Sequence, residues 1–476
     1  MNAIHPPLLE RIARIVGAQR LLSAPDALEP YLTDHRELYH GRAFAVAQPE
    51  TAEQVAQLLA LCNEQRIGVV PQGGNTGYCG GATPDESGTQ LVISLARLNR
   101  IRAVDALNDS LIAEAGCVLA DIQRTAEEAQ RYFPLSLGSQ GSCQIGGNLS
   151  TNAGGVHVLR YGMMRELVLG LEVALADGRL LSCLSRLRKD NTGYDIKSLF
   201  LGAEGTLGII TAASLKLFPR IRATATAFIA VRDPQAAVEL LVRLREASGE
   251  RVSAFELIPR LAVQLTVRHV PGVRDPLETP HDWYVLCELT SGRAADELDA
   301  MLTETLGPAL EQGLIEDALI VRNERERAEL WKLRETIPAA QRRDGASLKH
   351  DIAVPITSIA PFIERAGRWV HDNVPDGRLI AYGHVGDGNL HFNINQAAAT
   401  DRTAFLARGE TVKRAIHDLV REFEGTISAE HGIGRLKVGE LERYATPVEL
   451  ELMRTVKHAF DPNGILNPGK VLRSAP

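Results

Sequence analysis

The sequence contains no CxxC pair, and its six cysteines, Cys62, Cys79, Cys117, Cys143, Cys183 and Cys287, are scattered along 476 residues. That spacing excludes zinc-ribbon and cysteine-ligated iron–sulfur sites. It favours reduced thiols in a reducing compartment, so a cytoplasmic location is expected. Also absent is any run of roughly 18 apolar residues, so no membrane-spanning helix is expected. Neither sign of charge dominates: 52 Lys and Arg stand against 59 Asp and Glu, a net value of −7. That balance argues against a general nucleic-acid or anionic-membrane surface, but not against a local cationic pocket. Met1–Arg20 lacks the apolar core of a secretory signal. Instead Leu8, Leu9, Ile12, Ile15 and Val16 fall at helical spacing, with Glu10, Arg11 and Arg14 between them, and predict a short amphipathic helix. No repeat of solenoid length is present.

Single cores stop growing near roughly 250–300 residues, so two domains are expected. Residues 43–183 alternate strands, helices and glycine loops. Thr51 and Gln54 form a capping box before the stripe Val55, Leu58, Leu59 and Cys62. Strands are predicted at Val69–Val70, Leu91–Leu95 and Thr206–Leu217, and a hairpin turns at Asp177-Gly178. From about Arg222 the pattern changes. Strands at Thr224–Val231, Asp282–Leu289 and Ala318–Val321 alternate with helices, the first capped by Asp233-Pro234 and others near Asp296–Glu311 and Glu324–Arg342. The tail is a helix, Ala445–Phe460, and a tight loop. The expected class is α+β, with a first domain at 1–220 that the segment 426–476 rejoins. A second domain at 221–425 lies on an antiparallel sheet.

Two stretches are dense in glycine: Gly73 to Gly81 and Gly138 to Gly155. Without a Cβ, successive backbone N–H groups can converge on an anion, so these loops read as phosphate nests. Their spacing is not the GxGxxG fingerprint of nicotinamide-binding folds. Further on, Tyr382-Gly383-His384-Val385-Gly386-Asp387-Gly388-Asn389-Leu390-His391-Phe392-Asn393 predicts a hairpin. Its turn brings the His384 and His391 imidazoles together, and His391 shares a face with Asn393. Such a pair is either structural or metal-ligating. A later loop, Ser428-Ala429-Glu430-His431-Gly432-Ile433-Gly434, exposes a glutamate and a histidine. Arg334 in a helix and Lys349 at the start of a strand are two of many candidate cations.

Taken in order, these blocks resemble the FAD domain of the vanillyl-alcohol oxidase/p-cresol methylhydroxylase superfamily. The C-terminal half resembles the branch holding D-2-hydroxyglutarate dehydrogenases, D-lactate dehydrogenases and glycolate oxidase flavin subunits. The likeness runs from about Tyr31 to Leu472. It implies a two-domain flavoprotein that oxidises a D-2-hydroxy acid, such as hydroxyglutarate, lactate or malate, to the 2-oxo acid. FAD would be held by Pro71, Gly73, Gly74, Asn75, Thr76, Gly77, Gly80 and Gly81, then by Ser139, Gly146, Gly147, Asn148 and Asn152, and by Gly205, Ile209, Ile210 and Asn467. Attachment is expected to be noncovalent, because the first loop carries Asn75 and no histidine. The likeness makes His384, His391 and Glu430 ligands of a divalent metal, zinc by composition. It makes His431 the base and Arg334, Lys349, Asn393 and His431 substrate contacts, with Asp387 and Asn389 shaping the turn. One departure is Pro338, where hydroxyglutarate-oxidising members carry a threonine four residues after the arginine; a hydroxyl donor is lost and a local perturbation of the helix is expected. Expected partners are the acid and an external electron acceptor (an electron-transfer flavoprotein, a quinone or a cytochrome), with a homodimer as the default. The alternatives are a flavin subunit of a glycolate-oxidase-type complex and a metal-dependent hydrolase.

Overall fold

The structure is a computed structural model that describes residues 6–294, 296–397 and 401–474. The chain divides into two compact units. Met1–Gly154, Gly162–Arg220 and Glu430–Pro476 make the first, and Gly155–Tyr161 with Ile221–Ala429 make the second. The short piece Gly155–Tyr161, expected in the first unit, belongs to the second. There Arg160 Nη1 donates to Thr290 Oγ1 at 2.5 Å, and Leu159 packs on that unit's core. The chain stays in the second unit to Ala429, beyond the expected boundary at 425, and Thr426 is still bridged to Ala353.

In the first unit Pro6–Val16 is the expected amphipathic helix. Ile12 and Val16 are buried, with Leu8, Leu9 and Ile15 against the same core; the first five residues of the chain lie outside those described. Its first sheet runs in the order Leu21–Leu22, Ala43–Ala47, Gln90–Ser94, Val69–Gln72, and the last three strands are mutually parallel. Parallel strands are covered on both faces and need continuous apolar runs, which Val69–Val70 and Leu91–Val92–Ile93, all fully buried, supply. Thr51 caps the helix Ala52–Gln65 by accepting from Gln54 N at 3.2 Å. The Gln54 side chain turns back to Glu50 N at 2.7 Å instead of to the cap residue, so the box is incomplete. A five-stranded antiparallel sheet follows: Ile101–Asp105, Ser110–Glu114, Ile209–Lys216, Val168–Ala174, Leu180–Cys183. Gly178 turns its last hairpin at φ +86°, a conformation open to glycine.

The second unit carries an antiparallel sheet in the order Val252–Pro259, Trp283–Ser291, Ala223–Val231, Ile315–Val321. A second sheet centres on Asn389–Gln396, paired with Gly377–Tyr382, Ser347–Leu348 and Asp351–Ala353, and the bridge Leu257–Gly383 links the two. The helix Pro234–Ser248 starts where expected, with Asp233 accepting from Ala236 N at 2.8 Å. Its buried Ala237, Leu240, Leu241 and Leu244 cover the first sheet, each leucine contributing about 1.5–3 kcal/mol of burial. Two local expectations change. Lys349 does not open a strand but sits with His350 in a break between two short strands. Pro338 lies inside a helix that continues from Glu324 to Asp344, withholding only the N–H that would serve the Arg334 carbonyl.

Candidate active site

In the first unit the two glycine stretches meet. A Cβ on Gly74 would lie 2.2 Å from the Ser142 carbonyl oxygen, so the loops touch backbone to backbone there. Among the described residues no acceptor faces the consecutive N–H groups of Gly73, Gly74, Asn75, Thr76 and Gly77. Five adjacent donors without partners form an anion nest, and the diphosphate of FAD suits such a donor set. The faces of Gly77, Gly138, Gly141 and Gly147 open onto space, with nothing within 4 Å of an added Cβ. The helix Ile145–Ser150 holds Gly146, Gly147 and Asn148. The buried Asn148 Oδ1 and Gln144 Oε1 have no hydrogen-bond partner, a cost that a bound group with a donor would relieve.

Other residues expected at the cofactor serve the loops themselves. Asn75 donates to Thr33 O at 2.8 Å, and Asn152 Oδ1 accepts from Arg165 N at 2.8 Å. Asn467 ties Gly81 O at 2.9 Å to Glu204 O at 2.8 Å. Gly80 packs on the Tyr39 ring, and the Ser139 carbonyl accepts from Ser142 N and Cys143 N. Gly205, at φ +73°, backs onto Pro71, where a Cβ would meet the ring at 2.5 Å. Ile209 faces the core of the parallel sheet, and Ile210 is equally buried.

His431 belongs to the same unit as the nest. Its ring meets Tyr78, at the end of the first glycine loop, edge-on with centroids 4.7 Å apart. Cys79 O accepts from Arg435 N at 2.8 Å and from Leu436 N at 3.1 Å, and Cys79 Sγ reaches Gly432 O at 3.5 Å. Glu204 holds the loop from the other side, accepting from Ile433 N at 2.7 Å and Gly434 N at 2.8 Å. Burial pushes the Glu204 carboxyl up to about 7, against the pull of those two amides and Lys437.

The second unit assembles a cluster of its own residues. The hairpin brings His384 and His391 to a ring separation of 5.6 Å. His391 leans on Tyr382 at 5.0 Å, and the Arg334 guanidinium stacks over the same tyrosine at 5.0 Å. Arg334 Nε donates to Glu256 Oε2 at 2.7 Å, and Glu256 Oε1 lies 2.5 Å from His384 Nδ1. Burial opposes ionisation of Glu256, but Arg334 and His384 together hold its carboxyl down at about 2. Asn393 is engaged at both ends, donating to Gln341 at 3.1 Å and accepting from His350 N at 3.3 Å. Asn389 braces the turn through Asp351 and Ile352 O, and Asp387 accepts from Asn389 N. Lys349 is exposed.

A family model for the FAD binding domain matches residues 43–184, and one for the C-terminal domain of FAD linked oxidases matches residues 220–471. The chain belongs to the FAD-linked oxidase family. D-2-hydroxyglutarate dehydrogenase of Arabidopsis thaliana mitochondria is 37% identical to it over 460 residues, 96% of this chain and 80% of that one. A Xanthomonas citri D-2-hydroxyglutarate dehydrogenase is 35% identical over 98% of this chain and 97% of its own. In fold, this oxidoreductase is similar to p-cresol methylhydroxylase, with a TM-score of 0.76 and 17% identity over 98% of this chain and 96% of that structure. The expected α+β flavoprotein architecture is the observed one. An FAD-linked family leaves no place for the hydrolase alternative, which would idle both glycine loops.

Sequence reasoning passed over Glu256, Glu204 and Tyr78. Glu256 had a signal: it is the one charged residue in Val252–Pro259, a strand buried at every position. A lone carboxylate in an apolar strand requires partners. Glu204 lies between Ala203 and Gly205 ahead of a buried strand and had the same signal. Tyr78 had none, since contact with a residue some 350 positions away is a tertiary event.

Proposed function

We propose that this FAD-linked oxidase converts a D-2-hydroxy acid to its 2-oxo acid on noncovalent FAD, aided by a divalent metal, and hands the electrons to an external acceptor. The observation carrying this reading is the seat of His431. The candidate base is clamped to the end of the very glycine loop whose N–H nest suits the cofactor. FAD would supply the hydride acceptor for the substrate Cα. A divalent metal supplies Lewis acidity that lowers the pKa of the substrate hydroxyl.

The chain's own residues do the rest. His431, as neutral imidazole, accepts the hydroxyl proton on a ring nitrogen while the C–H bond breaks and C=O forms. Arg334 and Lys349 bind and orient the carboxylate. Arg334 does so with its Nη groups, since Nε is committed to Glu256. His384 and His391 are metal ligands joined by Glu430. His384 suits this role because a carboxylate on Nδ1 selects the tautomer with its lone pair on Nε2. The covalent path supports Glu430: Thr426 is bridged to Ala353, which pairs with Asn389, and four residues reach at most about 14 Å. Asn393 acts chiefly by holding the strand beneath His391.

The test is anaerobic bleaching of the flavin band near ~450 nm by a panel of D- and L-hydroxyglutarate, lactate and malate, with and without chelator. D-acids are expected to bleach it, chelation to slow bleaching, and His431→Ala to slow it by about 10²–10⁴-fold. Bleaching by L-acids alone, or an undiminished rate in His431→Ala, sinks the proposal. Acid precipitation should release the flavin into the supernatant.

A further inference from the structure

The strand Val252–Pro259 brings one carboxylate into a wholly buried setting, and that carboxylate has two clients. Glu256 is 0% exposed, Arg334 6% and His384 7%. Oε1 lies 2.5 Å from His384 Nδ1, and Oε2 accepts from Arg334 Nε at 2.7 Å. An ionised carboxylate offers acceptors at both oxygens, so both clients must present hydrogens. His384 therefore carries its hydrogen on Nδ1, with Nε2 directed away from Glu256. The planar guanidinium, anchored at Nε and stacked over Tyr382, has its plane set from two sides.

We infer that Glu256 is a positioning residue whose single carboxylate sets both the metal-binding tautomer of His384 and the orientation of Arg334. The inference rests on the metal reading of His384 and His391 proposed above. Its consequence is that the ion and the carboxylate-binding arginine share one strut. A glutamine in this place cannot serve both, because its amide offers one acceptor and one donor group. Whichever way it turns, either His384 or Arg334 faces a donor. Aspartate keeps two acceptors and loses only reach.

The experiment uses the FAD-loaded protein stripped of metal, with Zn²⁺ titrated against a chromophoric chelator. Glu256→Gln is expected to weaken Zn²⁺ binding by roughly 10–100-fold, and Glu256→Asp to recover part of that loss. Equal affinity in wild type and Glu256→Gln overturns the inference and leaves the metal reading standing. A wild type that takes no Zn²⁺ overturns both. The tautomer is read in the wild type, independently of whether a variant folds. Histidine labelled with nitrogen-15 is observed in the metal-free holoprotein at pH ~9, above the ordinary imidazole pKa of ~6.5, and the His384 signal is assigned by its loss in His384→Gln. Protonated Nδ1 with bare Nε2 is expected, and a dominant Nε2–H form refutes the inference. A purely packing role for Glu256 would lower thermal stability but leave that tautomer unselected.

Discussion

Replacing Glu204 by glutamine should make the protein's stability less dependent on pH in one window. The wild-type carboxyl is almost wholly buried beneath the His431 loop, and burial raises it from 4.5 to about 7. Below pH ~4.5 it is protonated in folded and unfolded chains alike, and its contribution is complete. As pH climbs, the unfolded chain releases the proton first, so the folded state loses ground until the folded carboxyl ionises near 7. Moving the carboxyl from 4.5 to about 7 corresponds to roughly 3 kcal/mol between the two ends of that window. Glutamine has no proton to release, and its amide oxygen can accept from Ile433 N or Gly434 N. Thermal unfolding of holoprotein and Glu204→Gln, compared at steps from pH 5 to 8, should show wild type losing several degrees relative to the variant. Lys437 and the two amides pull the other way. A flat difference curve, or wild type gaining on the variant as pH rises, would show that these three keep Glu204 ionised and that burial does not prevail.

Two further outcomes follow from packing and exposure. Gly74→Ala forces a Cβ against the Ser142 carbonyl and should part the glycine loops, cost about 1–3 kcal/mol and weaken FAD binding at least tenfold by fluorescence titration; unchanged affinity would mean the loops do not act together. Of the six thiols, Cys183 is the exposed one, while burial pushes Cys62 and Cys117 up to about 12 and raises Cys143 and Cys287. One rapid equivalent of alkylation at Cys183 by peptide mass mapping is expected, with the others reacting on unfolding.

Much of this protein could be read from its residues in line. Local chemistry places the helix that Asp233 caps, the hairpin at Asp177-Gly178 and the turn that joins His384 to His391, because turn and cap preferences act over a few residues. The glycine loops were legible as anion nests for the same reason. Where a residue's partner is remote, sequence was silent or misled. Lys349 reads as strand from its neighbours but falls in a break set by two pairings with Asn389–Gln396. Pro338 reads as a helix disruption but is carried through by a 21-residue helix.

By itself, then, the sequence determined the class of fold, the glycine loops and which imidazoles come together, since each depends on periodicity or near neighbours. Only the tertiary structure decided that Glu256 serves both Arg334 and His384, that Glu204 clamps the His431 loop and that Tyr78 meets His431. These contacts join residues from 78 to more than 350 positions apart, and they form only once burial has removed the water that each carboxylate or ring would otherwise keep.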